Sequence, residues 1–193
     1  MILVLSTYRT GGTNLCKKLA EDNQYENLDE AFHEASPVDH KTVLRYIATK
    51  PRQSPLITSK WPKIIKVFPY HISQTSIKNL LTKLVDLSTQ IIVLVRKDFD
   101  QQCQSYYICK QTNNWHDNFE QPVDITLNKD RWQWCVNFLH NQYLELSELR
   151  QTLPEHKLMF THQLEQGQKY KRPVNWDRAP GFTNIDIEEL FLE

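Results

Sequence analysis

The sequence predicts an α/β fold of three layers, with a mostly parallel sheet and helices on both faces. Three observations carry this expectation. Short aliphatic runs recur along the chain, ILVL at 2–5, IIKVF at 64–68 and IIVLV at 91–95, each suited to a strand buried on both sides. Stretches with helical spacing of apolar residues separate them. The 193 residues are 40% hydrophobic and 24% charged, enough for a sizeable core, so one domain over 1–193 is expected.

The elements follow in order. After the first run, Leu15, Cys16 and Leu19 recur at helical spacing, which starts a helix near Gly12. Prolines 37, 51, 55 and 62 break regular structure through 24–62, with one helix expected over 39–49. Residues 74–87 place Ile77, Leu80, Leu81, Leu84 and Val85 on one stripe of an amphipathic helix. A further helix begins at about Phe99. Residues 112–127 are polar and read as an irregular surface excursion. A long helix over 130–153 carries Trp132, Cys135, Val136, Leu139, Tyr143 and Leu146 on one face, and both Trp132 and Trp134 are assigned to the core. A last strand is expected at 157–160, a short helix at 187–191, and an irregular tail from about 166.

Composition excludes several function classes. Twenty-three basic residues balance 23 acidic ones, so the general basic footprint of a nucleic-acid binder is absent. No apolar run reaches the ~20 residues of a membrane span. The N-terminus has no basic region of the signal-peptide kind. Cys16, Cys103, Cys109 and Cys135 lack metal-type spacing and read as free thiols of a reducing, cytoplasmic compartment, with no metal site.

Chemistry is expected beyond the carboxyl ends of the strands, where ligands of parallel sheets sit. Two of only four glycines, Gly11 and Gly12, follow the first strand directly. Strand, glycine loop and helix form a geometry that cradles phosphate with backbone N–H groups and the helix dipole. Thr10 and Thr13 add hydroxyl donors, and Arg9 adds a forked cation. The Walker pattern G-x-x-x-x-G-K-[ST] is absent, because no lysine directly follows the glycines. Alone, such a loop fits a turn with no ligand equally well. After the third run, Arg96 and Lys97 leave the strand together and Ser105 follows at helical reach. Two cations and a hydroxyl suit a second phosphate, although taken alone they fit a solvated basic pair beside a helical serine better.

Taken together, the two segments resemble the sulfotransferases that use 3′-phosphoadenosine 5′-phosphosulfate (PAPS). STYRTGGTNL is similar to their 5′-phosphosulfate loop P-R-S-G-T/S-T, with Arg9, Thr10, Gly11 and Thr13 at matching positions. VRKDFDQQCQSYY is similar to their 3′-phosphate segment, and its Asp98, Gln102 and Ser105 look most like the bacterial trehalose-type branch, R-R-D-x-x-x-Q-x-x-S. Tyr8 stands where the family has proline, and Gly12 where it has a second Ser/Thr. The late basic loop is poorly matched by QGQKYKRP at 166–173.

The resemblance implies a P-loop nucleotide-kinase-like fold, PAPS as co-substrate, no metal, and a small hydroxylated acceptor such as a carbohydrate. Thr10, Gly11, Gly12, Thr13 and Asn14 would hold the 5′-phosphate, with Arg9 neutralising the leaving phosphate. Arg96 or Lys97, with Ser105, would hold the 3′-phosphate. Lys66 would stabilise the bridging oxygen. Glu30, in LDEAFHE, is the first choice for general base, with His33 and Glu34 adjacent and His71 a weaker alternative. Trp61 and Trp115 would line the acceptor pocket. The short chain leaves room for a second subunit to complete that pocket, as in a homodimer. Two other readings stay open: a P-loop-like nucleotide kinase or NTPase, and a non-catalytic nucleotide-binding protein.

Overall fold

The structure, a computed structural model, describes residues 1–30, 32, 63–72, 75–115, 122–162, 174–178 and 180–191. The helix expected over 39–49, the segment 166–173, and His33, Glu34 and Trp61 lie outside the described residues.

The chain runs β1 (Ile2–Ser6), α1 (Gly12–Asn23), β2 (Glu26–Asn27), β3 (Lys63–Val67), α2 (Pro69–Ile72), α3 (Thr75–Leu87) and β4 (Gln90–Val95). It continues through α4 (Phe99–Thr112), β5 (Val123–Ile125), α5 (Lys129–Gln151), β6 (Leu158–His162) and β7 (Val174–Trp176). Single 3-10 turns cover Glu155–Lys157 and Glu188–Phe191. Five strands form one sheet in the order β2-β3-β1-β4-β6, and every pairing is parallel.

The expected three-layer architecture follows from strand alternation. Ile2 and Val4 of β1, Ile64 of β3, and Ile92 and Leu94 of β4 pack with Cys16 of α1. Their alternates Leu3, Leu5, Ile65, Val67, Ile91 and Val93 join the larger core with Leu81, Leu84, Cys103, Tyr107, Leu139 and Tyr143. Each buried aliphatic side chain contributes roughly 1.5–3 kcal/mol through apolar burial. Two positions break this pattern in a useful way. Ser6 and Lys66 follow Val4 and Ile64 onto the α1 face, where a polar group must find a partner.

Three expectations need correction. Residues 112–127 are not wholly irregular: Val123–Ile125 forms β5 and pairs in parallel with Val174–Trp176. The tail beyond 166 therefore contributes a strand. Trp134 is not a core residue, being 51% exposed. It lies two positions after Trp132, roughly 200° around a 3.6-residue helix, off the stripe that Cys135, Val136 and Leu139 bury. It stacks instead on Phe138 and Tyr106 along the edge of α5.

β1 sits mid-sheet. Its outgoing connection leads toward β2 on one side, whereas that of β4 leads toward β6 on the other. The crevice between the ends of β1 and β4 is therefore the topological switch point, where open parallel sheets bind ligands. Among the described residues, no helix is long and apolar enough to cross a membrane.

Candidate functional site

The loop after β1 wraps tightly into α1. Gly11 has φ 83 and Arg9 φ 62, both in the left-handed region. Gly11 adopts that conformation without a Cβ penalty. Gly12 answers to space instead. A Cβ there would lie 2.8 Å from Lys66 Cδ and 3.2 Å from Ser6 Oγ. The Lys66 side chain passes directly beneath the start of α1, and only glycine leaves it room. The N-cap, Gly11, has no side chain to cap α1, and the first turn holds no acidic residue, so the positive end of the helix opens toward the loop.

The two segments singled out in the sequence meet at this loop. Arg9 Nε donates to Ser105 Oγ at 2.9 Å, and Arg9 Nη1 donates to the Trp115 carbonyl at 2.7 Å. Arg96 Nη1 donates to the Arg9 carbonyl at 3.0 Å, and Arg96 also donates to Gln101. Asp98 caps α4 by accepting from Gln101 N at 2.8 Å, which explains the acid in R-K-D. Lys97 turns the other way, to Glu188 at 3.4 Å. Of the two basic residues, Arg96 joins the loop and Lys97 does not. Burial lowers the Arg9 pKa below its ordinary value.

Behind this contact lies a buried network that sequence reasoning did not assign to the site. Gln102 Nε2 donates to Thr7 Oγ1 at 2.9 Å and also to the Tyr8 carbonyl. Tyr143 OH donates to Gln102 Oε1 at 2.8 Å and accepts from the Arg96 backbone N–H at 3.1 Å. One glutamine thus ties α4, α5 and the loop together. The signal was available: Gln102 is a polar residue on the apolar side of α4, and it belongs to the matched motif.

On the other flank, Lys66 is 2% exposed. Its Nζ donates to Thr13 Oγ1 at 2.7 Å and pairs with Asp29 at 2.8 Å and Glu30 at 2.9 Å. Burial pulls the Lys66 pKa down; Glu30 and Asp29 outweigh it, and the net value is raised. The two acids arrive there because β2 extends past Asn27: the Asp29 carbonyl accepts from Lys66 N at 2.8 Å. Asp29 was missed because no sequence spacing places it beside residue 66.

The remaining candidates are placed as follows. Thr10 is buried, and its hydroxyl donates to the Thr7 carbonyl at 3.0 Å, closing the loop. Asn14 is exposed in the first turn of α1. His71 is buried and stacked on Phe68, with Nδ1 accepting from Phe68 N at 3.3 Å. Tyr8 packs against Phe68, Tyr106, Trp115 and Phe138. Burial, then Glu30 and Tyr70, push its pKa up to about 12. Trp115 therefore belongs to an aromatic wall beside the loop. Ser6 Oγ, under Gly12, is buried with no hydrogen-bond partner among the described residues. Among those residues, no group of three or more His, Cys, Asp or Glu is arranged to hold a metal ion. No protein-family model matches the sequence, and no curated protein matches it.

Proposed function

We propose that the protein is a sulfotransferase that moves a sulfuryl group from PAPS to a hydroxyl of a small acceptor, a carbohydrate or another metabolite. The observation that carries this reading is the Arg9–Ser105 hydrogen bond. It joins residues 96 positions apart, from the two segments that separately resemble a 5′- and a 3′-phosphate site. A turn without a ligand gives no reason for those segments to converge on an uncapped helix end.

In this reading the donor's 5′-phosphate lies on the backbone N–H groups of Gly12, Thr13 and Asn14, with Thr13 and Lys66 beside it. Ser6 offers a hydroxyl below. Arg96 and Ser105 hold the 3′-phosphate. Arg9 acts by holding Ser105, donating from Nε to its Oγ. Catalysis is positioning and charge stabilisation. The sulfur–oxygen bond to the donor phosphate breaks as the bond to the acceptor oxygen forms. Lys66 offsets charge growing on the leaving phosphate. Glu30 takes the acceptor proton.

The test is a melting experiment with 3′,5′-ADP, the donor's nucleotide product. At about 100 times its Kd, it raises Tm by roughly 5 °C, because a ligand selective for the native state stabilises it. No shift at millimolar concentration removes the donor assignment.

A further inference from the structure

The cation on the β3 flank is crowded. A lysine ammonium has three hydrogens. Lys66 Nζ donates to Thr13 Oγ1 at 2.7 Å and is ion-paired with Asp29 Oδ1 at 2.8 Å and Glu30 Oε1 at 2.9 Å. Three oxygens already crowd that nitrogen within 3 Å, so an incoming anion reaches it by displacing one of them. The cluster also carries two carboxylates against one ammonium, so an anion approaching the loop on this flank meets more negative than positive charge at Lys66. The same contacts engage Glu30, the residue best placed to accept a proton.

We infer that the two problems have one solution: the arriving donor takes Glu30's place on Lys66, and this exchange releases Glu30 to act as base. The inference rests on the sulfotransferase reading and adds an order to it, donor before acceptor.

Of the three ligands, Glu30 is the one built to leave. Thr13 is fixed in the first turn of α1. Asp29 is held at both ends of its backbone, its carbonyl accepting from Lys66 N at 2.8 Å and its N–H donating to Asn27 Oδ1 at 2.9 Å. Its φ of 41 marks a conformation that these contacts impose. Asp29 is therefore a positioning residue that keeps Lys66 aimed at the loop throughout. Glu30 has the longer side chain, with more rotamers to gain on release. Both carboxylates are partly exposed, 37% for Asp29 and 30% for Glu30, so water can solvate either; the backbone contacts and chain length, not exposure, single out Glu30. After the exchange, Lys66 and Asp29 balance in charge. The donor oxygen stands where Glu30 stood beside the ammonium, and no covalent bond or proton has moved.

The test is calorimetric titration of 3′,5′-ADP into the wild-type protein, Glu30→Gln and Glu30→Asp. Exchange predicts that both variants bind about fivefold tighter than wild type, the scale of one partly exposed ion pair that no longer has to be broken. Glu30→Asp is the decisive arm. It keeps the charge on a side chain one methylene, about 1.5 Å, shorter, which lengthens and weakens the pair to Lys66. Tighter binding by Glu30→Gln but not by Glu30→Asp would mean simple repulsion across the site and would overturn the exchange. Equal or weaker binding by Glu30→Gln overturns it too, while leaving the donor assignment intact. Failure of the wild type and both variants to bind removes the donor assignment, and the exchange with it.

Discussion

The two flanks of the glycine loop are held by different physics. On the β4 side the contacts are buried hydrogen bonds centred on Gln102, which is fully buried and whose carbonyl and amide are both satisfied. On the β3 side they are ion pairs to carboxylates that remain 37% and 30% exposed. A satisfied buried network is rigid, because each group it contains is costly to strand. The carboxylates are partly exposed and can be solvated when they part, while the buried Lys66 must trade one oxygen for another rather than be left bare. The comparison assigns the flanks different tasks. The Gln102 side fixes where the loop stands, and in the proposed function the Lys66 side exchanges a ligand when the donor arrives.

The sharpest way to break this contrast is Gln102→Ala. It strands Thr7 and Tyr143 and opens a cavity, so urea denaturation should show a loss of about 3 kcal/mol. A loss under about 1 kcal/mol would mean that the β4 flank is not the rigid one. A smaller effect separates the two adjacent basic residues. Arg96→Ala should weaken 3′,5′-ADP about tenfold in a calorimetric titration, as expected when a charge-assisted phosphate contact goes. Lys97→Ala should change it by less than about twofold, since its partner is Glu188 on the surface. The reverse ranking would move the 3′-phosphate site to Lys97.

Much of this arrangement is legible in the sequence where the signal is local. The aliphatic runs mark β1, β3 and β4 because burial on both faces leaves no polar alternation to blur them. The loop and the α4 segment are legible because glycines and hydroxyl residues cluster directly after β1 and a basic pair directly after β4. What the sequence hides is long-range. β2 is two exposed polar residues and shows no strand pattern, yet it delivers Asp29 and Glu30 to Lys66. β5 and β7 are three residues each and acquire meaning only by pairing across about fifty residues. The resemblance implied that Arg9 serves the leaving phosphate; that its guanidinium also reaches Ser105, 96 positions on, is a contact no local pattern displays. Trp134 was assigned to the core by residue type, while its angular position on α5 puts it at the surface.

The central claim is that both loops serve one ligand with two phosphates. Calorimetry of 3′,5′-ADP against 5′-AMP, on the wild type and on Ser105→Ala, tests it most directly. The account predicts that the wild type prefers 3′,5′-ADP by roughly thirtyfold, the worth of a charge-assisted 3′-phosphate contact, and that Ser105→Ala loses most of that preference. Equal affinity of the wild type for the two nucleotides would contradict it.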